Sequence, residues 1–258
     1  MTFAKSKKYL KKIEECSVYD VADITPLSLA SHLTKETKNN IFLKREDLQP
    51  VFSFKLRGAY NKISYLKKIG TVERVITASA GNHAQGVAYS ARKLRLKATI
   101  VMPVTTPSIK VSAVKNLGAQ VVLVGDTYDE AYEHAIKLSK KPNYAFVHPF
   151  DDPDVIAGQG TIGKEILDQA GNDLDAVFVP VGGGGLLAGI GAYIKTLRPD
   201  VKIIGVEPEE AAGLYEALKA NRIVTLKQVG LFVDGVAVKQ VGKVTFPIIK
   251  EWVEEVVT

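Results

Sequence analysis

Val179-Pro180-Val181-Gly182-Gly183-Gly184-Gly185-Leu186-Leu187-Ala188 runs from an apolar, strand-like stretch through four consecutive glycines into an apolar, helix-like one. Glycine accepts positive φ and leaves the backbone bare, so successive N–H groups can converge on one point. A helix beginning there adds favourable potential for an anion. A tight strand-to-helix turn needs one glycine or two; four make a phosphate cradle the functional reading. The same loop also satisfies a rival pattern. Gly183-x-Gly185-x-x-Ala188 fits the dinucleotide fingerprint, and Glu207 ends the next apolar run at about the spacing of a ribose-binding acid. Against it, such a unit usually opens its domain, and here several strand–helix units come first. The loop alone leaves both readings open.

Working outward, the chain alternates short apolar runs with longer amphipathic ones. Val- and Ile-rich runs at Ile41–Lys44, Arg74–Thr77, Ala98–Met102, Gln120–Val124, Ala176–Val181 and Lys202–Glu207 predict strands. Leu56–Lys68, Ala84–Lys93, Ile109–Leu117, Asp129–Ser139, Val155–Ala170 and Leu187–Leu197 predict helices between them. That order specifies an α/β protein with a parallel sheet and right-handed crossovers. His148-Pro-Phe-Asp-Asp-Pro-Asp154 is the clearest punctuation and reads as a domain junction feeding a helix, with Asp152 or Asp154 as N-cap.

Two further loops could hold an anion. Gly158-Gln-Gly-Thr-Ile-Gly163-Lys164 matches most of a P-loop, but Glu165 stands where Ser or Thr should hold magnesium, and no strand precedes it. Its glycines read instead as lying within or beside a helix start. Ser79-Ala80-Gly81-Asn82-His83-Ala-Gln-Gly86 follows a strand and enters a helix. Ser79 and Asn82 could cap that helix, or the cluster could form a second anion site sized for a carboxylate. A lysine, Lys55, sits where Ser53-Phe-Lys-Leu-Arg-Gly-Ala-Tyr60 enters a helix, with apolar Phe54 and Leu56 on either side and Ser53 as candidate N-cap. Partial desolvation at a helix N-terminus disfavours the ammonium form and lowers its pKa, as imine chemistry and general-base work require.

Hydrophobic residues at 46% and charged residues at 24% are ordinary for a globular chain of 258 residues. A net charge of +6 suits a small anionic ligand. No basic run is interleaved with aromatics, so a nucleic-acid surface is not indicated. A single cysteine, Cys16, excludes a disulfide framework and a thiol metal cluster, and no metal site is expected. The N-terminal segment lacks the apolar stretch of a signal peptide, has no arginine, and carries Glu14 and Glu15, which disfavours a transit peptide. Phe3, Leu10 and Ile13 read as one face of a short helix. No run is long enough for a bilayer. A cytoplasmic location follows as the expectation.

Taken together, Lys44-Arg-Glu-Asp-Leu48, Ser53–Tyr60, Ser79–Gly86, Gly182–Gly185, Gly205-Val-Glu-Pro208 and Val229–Lys239 resemble the biosynthetic threonine dehydratase (threonine ammonia-lyase) branch of the β-family pyridoxal-phosphate enzymes. The resemblance covers nearly the whole chain. It implies two open parallel twisted sheets with flanking helices, the tryptophan-synthase-β-like arrangement called fold type II. A large cofactor-binding domain of residues 1–49 and 151–258 would hold a small domain of residues 50–150. It implies that Lys55 carries pyridoxal 5′-phosphate as a Schiff base with Phe54 beside it, and that Asn82 bonds the cofactor's 3′-oxygen. Gly182, Gly183, Gly184 and Gly185 would hold the phosphate, and Gly235 would lie beside the ring. Ser79, Ala80, Gly81, Asn82 and His83 would grip the substrate carboxylate. Lys55, freed by L-threonine, would take the Cα proton. Loss of the β-hydroxyl, protonated by the cofactor phosphate, would lead to 2-oxobutanoate and ammonia, the first step of isoleucine biosynthesis.

L-Serine would be a weaker substrate, and relatives of this kind assemble as homo-oligomers. Glu254–Thr258 reads as a strand, after which relatives continue with further core elements. These include a serine facing the pyridine nitrogen and, in many members, a C-terminal regulatory domain. Truncation is therefore expected to leave exposed sheet edges and to remove isoleucine feedback. Three other readings stand beside the main one: a serine/threonine dehydratase or serine racemase of the same fold, an inactive fragment or split subunit, and a nucleotide-binding oxidoreductase built on Gly183, Gly185 and Glu207.

Overall fold

Val75 and Ile76, like Ile100 and Val101, are fully buried neighbours on strands, so both faces of their sheet must be covered. The computed structural model describes residues 3–70, 72–230 and 232–258. Its elements run α1 (Phe3–Glu14), β1 (Leu27–Leu29), α2 (Ser31–Thr37), β2 (Phe42–Lys44), α3 (Lys55–Lys68), β3 (Arg74–Ala78), α4 (Asn82–Lys93), β4 (Lys97–Met102), α5 (Ser108–Asn116), β5 (Gln120–Leu123), α6 (Tyr128–Ser139) and β6 (Tyr144–Phe146). Then come α7 (Pro153–Ala170), β7 (Ala176–Pro180), α8 (Gly185–Leu197), β8 (Lys202–Val206), α9 (Gly213–Lys219), α10 (Thr245–Trp252) and β9 (Glu255–Val257).

A four-stranded parallel sheet is ordered β5-β4-β3-β6, and a three-stranded parallel sheet is ordered β7-β8-β9. On the first, Val75 and Ile100 pack with α3, α4 and α5, while Ile76 and Val101 meet Ala131 and Ala135 of α6. On the second, Val179, Ile203 and Val256 join a core with α7, α8 and α10, whereas Phe178 on the opposite face is 62% exposed. The α/β class with two parallel sheets and flanking helices is as expected. Two short strands, β1 and β6, are additional, each only three residues long. The strand foreseen at 41–44 is not in a parallel sheet: β2 pairs antiparallel with β1 in a separate two-stranded ribbon.

The glycines of the P-loop-like stretch lie inside α7, as the alternative reading had it, and their reason is close helix packing. A Cβ on Gly158 would fall 2.7 Å from both the Arg57 carbonyl oxygen and Gly58 Cα. Asp152, rather than Asp154, caps α7, accepting from the Asp154 and Val155 N–H groups, and Pro153 occupies the first turn. Ile13 of α1 is buried against Ala157 and Tyr193 with half-buried Leu10 nearby; the Phe3 side chain and Leu231 lie outside the described residues.

Candidate active site

Three loops leave the carboxyl ends of parallel strands, where open α/β sheets bind ligands: Ser79–Gly81 after β3, Val147–Asp152 after β6, and Val181–Gly184 after β7. The middle loop joins the other two to Lys55.

Lys55 is the first residue of α3. Its Nζ donates to the Pro149 carbonyl at 3.2 Å and lies 5.3 Å from the Phe54 ring centroid. Burial pushes the ammonium down to about 8 from its usual 10.5. Ser53 is not the N-cap; Phe54 is, and Ser53 Oγ instead accepts from the Lys55 N–H at 3.3 Å. From α4, Gly86 backs onto this helix start, where a Cβ would sit 3.1 Å from the Lys55 carbonyl oxygen.

Neither Ser79 nor Asn82 caps α4. Gly81 is the N-cap, no side chain reaches the first-turn amides, and Ser79 Oγ accepts from the Gly81 N–H at 3.3 Å. Asn82 is exposed at the first helical position, and Ser79, Ala80 and Gly81 are half-buried. The His83 side chain turns inward: Nε2 lies 3.1 Å from the Val147 carbonyl, while buried Nδ1 has no partner. A carbonyl only accepts, so Nε2 carries the proton. Burial, then the charge of Lys55, hold His83 down to about 3, hence neutral. What His83 retains for a ligand is its main-chain N–H. His148 is neutral too, lowered to about 4 chiefly by burial, and its Nδ1 accepts from the Phe150 and Asp151 N–H groups.

All four glycines of the loop are crowded. Gly183 and Gly185 lie against Phe150, Gly182 against Val236 and Val238, and Gly184 takes φ +88 against Ile249 and Thr245. Close packing thus demands more of these glycines than turn geometry alone. The Gly183 carbonyl accepts from Thr245 Oγ1 at 2.8 Å and from the Gly242 N–H at 3.1 Å. Gly184 is the N-cap of α8, with no side-chain cap bond. The Asp151 carboxylate accepts from the Lys243, Val244 and Thr245 N–H groups, tying the middle loop to the start of α10. Gly235 sits on an exposed turn beside Val236, with nothing within 4 Å of its would-be Cβ.

The dinucleotide reading fails at Glu207. Both its carboxylate oxygens are taken, accepting from the Leu214 and Tyr215 N–H groups at 2.9 and 2.8 Å, and it is 2% exposed. Buried in this way, the carboxylate is closed to a ribose hydroxyl.

Residues 19–258 match the family described as pyridoxal-phosphate dependent enzyme. The chain belongs to that family. It is 53% identical over 256 residues to the L-threonine dehydratase biosynthetic IlvA of Burkholderia multivorans, covering 98% of this chain and 50% of that one. It is 56% identical over 256 residues to the biosynthetic, chloroplastic threonine dehydratase of Arabidopsis thaliana, covering 99% and 43%. The chain therefore spans about half the length of these relatives or less. Among solved structures, the processed form of threonine deaminase isoform 2 from Solanum lycopersicum aligns at TM-score 0.95 and 51% identity, over 98% of this chain and 70% of that one. Maize serine racemase aligns at TM-score 0.91 and 28% identity, over 96% and 75%. The fold is that of the pyridoxal-phosphate enzymes of fold type II.

Pro149, Phe150 and Asp151 lie in the run that reads in the sequence as a domain junction, and beyond that they link Lys55, the glycine loop and α10. Their signal was an aromatic residue inside a turn-forming run. Among the described residues no group of three or more His, Cys, Asp or Glu could hold a metal ion, and no helix is long and apolar enough to cross a membrane.

Proposed function

We propose that this chain is the catalytic part of an enzyme that converts L-threonine to 2-oxobutanoate and ammonia by α,β-elimination, the first step of isoleucine biosynthesis. The observation that carries the chemistry is Lys55, an amine held at a carbonyl and lowered by burial to about 8. The threonine assignment draws on relatives named threonine dehydratases at 53% and 56% identity along nearly the whole chain.

The residues fit pyridoxal phosphate on their own chemistry. Lys55 offers an amine for its aldehyde, and the bare start of α8 at Gly182–Gly185 offers amides for its phosphate, as no side chain caps that helix. Phe54, Asn82 and Gly235 would complete the cofactor's surroundings, and the Asn82 amide would bond its 3′-oxygen. When bound, the cofactor supplies an electron sink for the charge left at Cα. Lys55, uncharged in an appreciable fraction of molecules at neutral pH, takes the Cα proton. The uncapped first turn of α4, with Ser79, Ala80, Gly81, Asn82 and the His83 N–H, binds the substrate carboxylate and orients Cα toward Nζ.

In the proposed arrangement residues 50–150 form a small domain and residues 1–49 with 151–258 the large one, in a cytoplasmic homo-oligomer. The Arabidopsis relative is named chloroplastic, so location varies among relatives. The test is release of 2-oxobutanoate from L-threonine, with pyruvate from L-serine and D-serine formation measured alongside. Threonine turnover that disappears in Lys55→Ala supports the reading. D-Serine as the main product would move the assignment to a racemase, and turnover unaffected by Lys55→Ala would reject it.

A further inference from the structure

The Gly158–Glu165 face of α7 has no part in the chemistry above, yet it grips the helix that carries Lys55. Gly58 and Gly158 bring the two helices into backbone contact. Buried Gln159 accepts from the Gly58 N–H at 3.1 Å, in the first turn of α3. Two residues beyond Lys55, Arg57 is 0% exposed. Its Nε and Nη2 donate to Glu46 at 2.8 Å each. Nη1 and Nη2 donate to Glu165 at 2.5 and 3.1 Å, Nη1 also to Thr161 at 3.1 Å, and Nη2 to the Asp23 carbonyl at 3.2 Å. Lys44 pairs with Glu165 at 2.6 Å.

Two cations thus face two carboxylates, and the cluster is neutral as a whole. It can hold Lys55 in a buried place without adding a net charge beside it. The start of α7 lies just beyond Pro149, so the register of α3 along α7 sets where Nζ meets the Pro149 carbonyl.

We propose that Arg57 is a positioning residue for the Lys55 amine: through Glu46, Glu165 and Thr161 it locks α3 against α7 and so fixes Nζ at its buried station. The proposal rests on the reading of Lys55 as the reacting amine. A lysine cannot take over, because three donors around one point cannot span two bidentate carboxylates as the planar guanidinium does. The titratable groups whose fields couple to Lys55 are His83 of α4 and His148 of the loop before α7, both neutral. Loosening the clamp therefore acts mainly by letting water reach Nζ.

The test is trace acetylation of the full chain with acetic anhydride from about pH 6 to about pH 11, reading each lysine peptide by mass spectrometry. Exposed Lys115 serves as internal control. In the parent, Lys55 should titrate near 8. In Arg57→Lys its midpoint should rise by about one unit or more, leaving about tenfold less free amine at neutral pH, while Lys115 is unchanged. Gln159→Leu, which removes the Gly58 partner without stranding a charge, should shift Lys55 in the same direction and decides the matter if Arg57→Lys does not fold. A folded variant with an unmoved Lys55 midpoint would overturn the proposal. The label needs no pyridoxal phosphate, so the positioning role and the assigned reaction can fail separately.

Discussion

Phe150 lies so close to Gly183 that a Cβ on the glycine would fall 2.3 Å from three ring carbons. The aromatic of the loop after β6 thereby seats the glycine loop after β7, and the pair is expected to act as a unit.

Gly183→Ala should destabilise by about 1–3 kcal/mol, since the ring must move to admit a methyl group. Adding Phe150→Ala should recover part of that loss, giving a double-mutant coupling above about 0.5 kcal/mol. Gly81→Ala, with nothing within 4 Å of its Cβ and φ −122, should stay within about 0.5 kcal/mol of the parent. Urea unfolding of the variants measures all of these.

Arg57 and Glu165 form a buried pair whose value shows only when it is broken. Glu165→Gln leaves two buried cations, Arg57 and Lys44, with Glu46 as the one carboxylate of the cluster, and should cost about 3–5 kcal/mol. Combining it with Lys44→Met should cost less than the sum, as both act on one network. Strict additivity in thermal unfolding would show that Lys44 and Glu165 are independent.

Lys55 should cost stability at neutral pH. Its folded pKa of about 8 lies below the usual 10.5, so between these values the unfolded chain binds more protons and stability rises with pH. Lys55→Met should then be the more stable protein near pH 7, by at most about 3 kcal/mol. The difference should shrink as pH climbs through 8 and vanish above 10.5. Stability measured against pH for both proteins gives the comparison.

His83 and His148, lowered to about 3 and about 4, work in the opposite range. Below their usual 6.5 the unfolded chain takes up protons that the folded chain refuses, so stability should fall on acidification toward pH 4. His148→Gln keeps an acceptor for the Phe150 and Asp151 amides. It should make the fall shallower, by up to about 1.4 kcal/mol per pH unit.

The long amphipathic helices and the Val- and Ile-rich strands were legible because their periods match their burial; Val75 and Ile76 already imply a sheet covered on both faces. The sequence also brought Lys55 and the glycine loop forward, through a lysine between apolar residues and a run no ordinary turn needs. What it hid depends on partners distant in the chain. Gly183 owes its identity to Phe150, Gly158 to Arg57, and Glu207 to two amides of α9, and no local pattern encodes those meetings. The capping expectations for Ser53, Ser79 and Asn82 failed because their chain entries are set by packing against other elements. β6 was missed because Tyr144-Ala-Phe146 is too short to display a period.

The central claim is tested most directly by mixing the purified chain with pyridoxal phosphate, reducing with borohydride and mapping the modified peptide. A visible absorption band that shifts on adding L-threonine, with the reduced adduct on Lys55, is the result expected. A well-folded chain with no adduct, or an adduct spread over exposed lysines with Lys55 unmodified, would contradict it.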